Sequence, residues 1–143
     1  METLTWGKLV ECENGYHFHD SSIIHKVFGS EFYLAEPSGE QVVKDGLCLA
    51  RGGRLLQKLN WNRDVAIQLS QDVIDYISRT DPNYYVFQRV ANRYYENLRT
   101  ATRIGWYFLL EEFMSYVCFP GRDVVGKHWI RQRLLMYLHD GIA

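Results

Sequence analysis

Arginine is the residue whose type and spacing carry the clearest chemical signal in this chain. Arg89, Arg93, Arg99 and Arg103 recur along one stretch with Glu96 among them. Nine of the eleven arginines lie after residue 60, against one lysine there, Lys127. A guanidinium pairs with carboxylate or phosphate through a planar fork and stacks on rings, which an ammonium does not do. Rings are close at hand, since 15 of the 21 aromatic residues also lie after residue 60. At about 100° per helical residue, the four arginines and Glu96 fall in a sector of about 120°. Two readings stand. One is a solvated helix face in which Glu96 bridges Arg93 and Arg99 at i±3 spacing. The other is an anion-binding stripe of Tyr85, Arg89, Asn92, Arg93, Arg99 and Arg103, with Tyr95 at its edge and Arg122 joining it. Arg131 and Arg133 would complete such a site only if the last helix folds back beside it.

The charge balance restricts the partner. The formal net charge is −1, which argues against coating nucleic acid through a broad basic field. The halves differ little, at −2 for residues 1–60 and +1 for the rest. Any anion site must be local. A phosphate-bearing small ligand, a nucleotide, a short nucleic-acid segment or an acidic protein surface needs only a few arginines and a ring or two. Tyrosine and arginine also supply many of the hot spots of protein interfaces. The sequence reading favours capture of a phosphate-bearing ligand, with a protein–protein inhibitor or adaptor as the alternative.

His17-Phe18-His19-Asp20, with His25 nearby, forms the second candidate site. On a strand, His17 and His19 project to one face, where two imidazoles can share a metal ion. This His-hydrophobic-His strand, followed by helical tyrosines at 84, 85, 94 and 95, resembles the HUH nucleases, which include Rep proteins and small transposases. The resemblance implies that the histidine pair holds a divalent cation and that a tyrosine attacks a DNA phosphate. In that family the pair sits on a strand deep in the sheet, whereas sixteen residues precede it here. The other reading is a polar strand edge whose histidines bind nothing.

Other constellations are weaker. Ser21, Ser22, Ser38 and Ser70 lie in no GxSxG elbow, and Cys12, Cys48 and Cys118 occupy no activating motif. Gly52-Gly53 between Arg51 and Arg54 reads as a hairpin turn, or as a backbone nest for phosphate. Adjacent Glu111 and Glu112 point about 100° apart on a helix and would not share a proton. A binding protein without enzymatic activity or cofactor is therefore expected.

The elements that must position these groups change character near residue 60. Residues 1–60 read as an antiparallel β-meander of about five short strands, with alternation over residues 3–11 and 16–19. Further runs follow at 23–28, 32–34, 42–43 and 47–50, with Pro37-Ser-Gly39 as a closing turn. Residues 61–143 read as three or four helices. Val65, Leu69, Val73, Tyr76 and Ile77 form an apolar face with Asp72, Asp75 and Arg79 opposite. Asn60 or Asn62 can cap that helix. Asp81-Pro82 starts the next one, either continuous past Gly105 or broken there. Asp123 caps a last helix to about His139, with Gly141 after it.

The expected fold class is α+β in one domain over residues 1–143, with a β-rich half and a helical half. The cysteines suit a reducing compartment, and a cytoplasmic location is expected. Nothing resembles a leader, and no run is long enough for a membrane span. Trp106, Phe108, Leu109, Leu110, Phe113, Tyr116 and Val117 surround nearly the whole circumference of their helix. Such a helix is buried centrally or against a second copy, which predicts a homo-oligomer.

Overall fold

Asp45-Gly46 decides the architecture of the first half. A computed structural model describes residues 15–20, 28–101, 105–118 and 126–141, with the side chains of residues 86 and 87 excepted. Within it, Asp45 and Gly46 both have positive φ, 49° and 84°. Two consecutive positive values match the right-handed twist of a hairpin. They join β2 (Tyr33–Lys44) to β3 (Leu47–Lys58) as one long antiparallel pair, from Lys44 opposite Leu47 to Tyr33 opposite Lys58. β1 (Tyr16–His19) pairs antiparallel with the first residues of β3, and the sheet order is β1-β3-β2.

This hairpin joins two of the expected short runs into one strand, and the expected count of about five strands is not confirmed. Among the described residues there are three strands, and the runs near 33 and 42 belong to one of them. The run at residues 3–11 and most of that at 23–28 lie outside the described residues. Pro37 does not close a strand. It sits inside β2, opposite Gly53, on the edge of the sheet, where a missing N–H leaves no ladder bond unmade on the open side. Gly52-Gly53 is no turn and no phosphate nest: both lie in mid-β3. A Cβ on Gly53 would stand 2.4 Å from Phe18 Cζ, so the glycine makes room for that ring. The flanking arginines face acids across the hairpin, Arg51 with Glu40 at 3.0 Å and Arg54 with Glu36 at 3.4 Å.

Among the described residues four helices follow in the chain: α1 (Arg63–Thr80), α2 (Tyr84–Thr100), α3 (Tyr107–Val117) and α4 (Lys127–Asp140). The fold is therefore α+β. The described residues cluster into two compact units, 15–20 with 33–59 and 28–32 with 60–141.

In the helical unit, α1 begins where expected. Asn62 Oδ1 accepts a hydrogen bond from the Val65 N–H at 3.0 Å, satisfying one of the first-turn donors. Val65, Leu69, Val73 and Ile77 are buried at i, i+4, i+8 and i+12. Each removes apolar surface worth about 1.5–3 kcal/mol. α4 buries Ile130, Leu134, Tyr137 and Leu138, and Asn60 closes its end: the Asn60 N–H donates to the Leu138 carbonyl at 2.9 Å and its Nδ2 to that of His139 at 3.0 Å. Trp61 anchors a ring cluster. It stacks on Phe28 at 5.7 Å, meets Phe32 edge-on at 5.0 Å and donates its Nε1–H to the Gly29 carbonyl at 2.8 Å.

Two helix starts differ from expectation. Asp81 does not open α2 directly. Its Oδ1 accepts the Asn83 N–H at 2.8 Å and its carbonyl accepts that of Tyr84 at 3.1 Å, an Asx turn that delays the helix to Tyr84. α4 begins at Lys127 after Gly126, and Asp123 lies outside the described residues. The helical stretch breaks before Gly105, whose φ is +92°. α3 buries Leu110, Phe113, Met114 and Val117, with Leu109 and Tyr116 half-buried and Phe108 60% exposed.

Candidate functional site

α2 takes its orientation from its apolar residues. Ala91 and Leu98 are buried, and Val90, Tyr94 and Tyr95 are half-buried. Burial, and secondarily the Asp75 carboxylate, push the Tyr84 phenol above its ordinary pKa. The opposite face then points outward. Tyr85, Arg89, Asn92, Arg93, Glu96 and Arg99 are all exposed, and Tyr85 is 74% exposed. At the helical repeat they share a sector of about 120°. The structure thus brings together five of the seven residues expected at the stripe. Arg103 and Arg122 lie outside the described residues.

The arginines on this face are not equivalent. Arg99 is engaged: Nη2 and Nε donate to Glu96 Oε2 at 2.9 and 3.3 Å. That hydrogen bond, with the carboxylate's charge, raises the guanidinium's already high pKa. The Arg99 carbonyl at the end of α2 accepts a hydrogen bond from the Arg63 guanidinium on the first turn of α1. A cation there satisfies a C-terminal carbonyl and complements the helix dipole. Arg89 and Arg93, one turn apart, make no hydrogen bond, ion pair or ring contact with a described residue. Glu96 therefore does not bridge Arg93 and Arg99 as the spacing suggested; it holds Arg99 alone.

Arg133 does not join this face. It belongs to a polar seam between α1 and α4 that sequence reasoning missed. Asp72 and Tyr76 on α1 meet Trp129, Arg133 and Tyr137 on α4, and Gln68 supports Asp72 from one turn earlier, each row running at i, i+4 and i+8. Asp72 is only 17% exposed at its side chain, not on the solvent face expected for it. Its Oδ2 accepts the Tyr137 hydroxyl, its Oδ1 accepts Gln68 Nε2 at 2.9 Å, and Arg133 Nε stands 3.9 Å away. Trp129 stacks on Tyr76 at 4.3 Å and receives the Arg133 guanidinium at 5.1 Å from its ring centre. Burial, then the hydrogen bond to Asp72, push the Tyr137 phenol up to about 12. A phenol held protonated is a donor that pins two helices, not a base. The two matched i, i+4, i+8 rows of polar and aromatic residues were the available signal.

The histidine pair is placed as the alternation suggested. His17 and His19 lie on β1 opposite Leu49 and Leu47, with ring centres 6.4 Å apart. Among the described residues no group of three His, Cys, Asp or Glu side chains assembles around a metal-sized space. The tyrosines that the nuclease resemblance requires are on α2, in the other compact unit. Burial raises the Cys48 thiol pKa, which lowers its thiolate fraction and its reactivity. Among the described residues no helix is long and apolar enough to cross a membrane.

No family model, curated protein or solved structure matches this chain.

Proposed function

We propose that this chain is a non-enzymatic protein-binding module whose α2 face docks on an acidic protein surface. One observation carries the reading: Arg89 and Arg93 stand exposed one turn apart with no acidic partner among the described residues, while their neighbour Arg99 is neutralised by Glu96. Tyr85, one turn before Arg89, adds a large exposed ring. Tyrosine and arginine together are the side chains that carry most interface energy, because each offers broad contact area with a directional polar end. A helix face is convex, so it meets the surface of a partner, whereas small ligands are held in concave pockets. Tight binding of a long nucleic-acid segment needs many phosphate contacts, and the net charge of −1 supplies no such field. An acidic patch needs only the two guanidiniums and the ring.

The test is fluorescence anisotropy with a labelled glutamate-rich peptide, an oligothymidylate of equal charge and ADP. The peptide is expected to bind, more weakly as salt rises. The Arg89→Ala/Arg93→Ala variant should lose about thirtyfold or more in affinity, since one hot-spot arginine contributes about 2 kcal/mol. Preferential binding of the oligonucleotide or ADP, lost in the same variant, would overturn the reading in favour of phosphate capture.

A further inference from the structure

A second surface lies beside α2, with the opposite electrostatic character. Tyr94 of α2 and Phe108, Glu111, Glu112, Ser115 and Tyr116 of α3 line an open depression of about 540 Å³. Its floor is aromatic. The Tyr94 ring stands 6.1 Å from both Phe113 and Tyr116, and Phe108 remains 60% exposed at the rim. Its polar groups are carboxylates and hydroxyls. Glu111 Oε1 accepts the Phe28 N–H at 3.1 Å, which holds that side chain in place and leaves its second oxygen available. Glu112 is exposed and makes no hydrogen bond or ion pair with a described residue. The adjacent acids diverge, as their helical spacing requires, yet both reach the same depression because it is wide.

Ring faces carry negative quadrupole potential, and carboxylates add full charge. Such a site rejects anions and attracts a cation. Two separated carboxylates on an open surface make a poor cage for a metal ion, which prefers several converging oxygens. An ammonium would gain charge but little from the ring walls. A guanidinium gains both, because its plane stacks on a ring while its edge forks onto a carboxylate. The depression is roomier than one guanidinium and leaves space for a neighbouring residue of the same ligand beside Tyr94. We propose that this α2–α3 depression receives an arginine side chain of a partner polypeptide, stacked on the exposed Phe108 ring and forked by Glu112 one turn along α3. The site is separate from the Arg89/Arg93 face and does not depend on it.

The test is an NMR titration of the full chain, labelled with ¹⁵N, against acetyl-Arg-Leu-amide, acetyl-Lys-Leu-amide and acetyl-Glu-Leu-amide. The arginine peptide is expected to shift the amides of residues 94 and 108–116, the lysine peptide more weakly and the glutamate peptide not at all. Glu112→Gln, a surface change that preserves shape, should weaken the arginine peptide about fivefold. Phe108→Ala should narrow the difference between arginine and lysine. Arg89→Ala/Arg93→Ala should leave these shifts intact, so the outcome is independent of the fate of the α2 face. Equal response to arginine and lysine, an unchanged Glu112→Gln titration, or shifts elsewhere would overturn the proposal. Shifts at the same amides on concentrating the protein without peptide would also overturn it, by assigning the occupant to a second copy of the chain.

Discussion

Arginine serves two ends in the helical unit, and the contrast lies in what stands opposite each side chain. In the α1–α4 seam, Arg133 rests on the Trp129 ring and faces an Asp72 carboxylate that Tyr137 and Gln68 also hold. On the α2 face, Arg89 and Arg93 stand in solvent with no acid among the described residues. A cation in a satisfied, half-buried network locks helices together. A cation left without a counter-charge costs little in water and keeps its hydrogen-bonding capacity for a partner. The type of residue is the same; its surroundings assign the role.

This contrast can be broken by measurement, most strongly at the seam. Asp72→Ala leaves the buried Tyr137 hydroxyl and Gln68 without their acceptor. A loss of about 2 kcal/mol is expected in urea denaturation, and a loss under about half a kcal/mol would show that the network is no pin. Tyr137→Phe should cost less, about 1 kcal/mol near neutrality. It also carries a pH signature. The phenol's pKa is raised in the folded state, so its stabilisation is complete below the ordinary tyrosine value near 10. That stabilisation is lost as pH climbs through the folded value of about 12. The stability gap between wild type and Tyr137→Phe should therefore shrink across this alkaline window, and a pH-independent gap would contradict the assignment.

Changes on the α2 face should hardly move stability. Arg89→Ala/Arg93→Ala is expected to stay within about 0.5 kcal/mol of wild type while losing the acidic peptide; a larger thermal shift would mean the stripe supports the fold. The smallest effect sharpens the comparison from the other side. Glu96→Gln should leave stability almost unchanged, since it removes an exposed i,i+3 ion pair, and should strengthen peptide binding by releasing Arg99. Weaker binding in that variant would make Glu96 part of the recognition surface.

Much of the helical unit was legible in the chain. The 3.6-residue recurrence of Val65, Leu69, Val73 and Ile77 identified the buried face of α1, and the outward direction of Tyr85, Arg89, Asn92 and Arg93 followed from the same periodicity on α2. The sheet was less legible because its turn signals compete. Asp45-Gly46 and Gly52-Gly53 are both good hairpin dipeptides; only the first turns the chain, since the second is occupied by strand pairing and the approach of Phe18. Asp72 was misread because a periodicity argument places a residue relative to one neighbour, and α1 has another in α4.

By itself, the sequence determined the local matters: the apolar face of α1, a start for that helix at Asn60 or Asn62, and the sharing of one helix face by the arginines. These follow from residue geometry within a few positions along the chain. Tertiary structure decided which charges are matched. It set Arg133 and Asp72 into one seam and brought no acid to Arg89 or Arg93 among the described residues. It also assembled Tyr94, Glu111 and Glu112 around one depression. Pairing between side chains on different elements depends on the distances between those elements, and no local period encodes them.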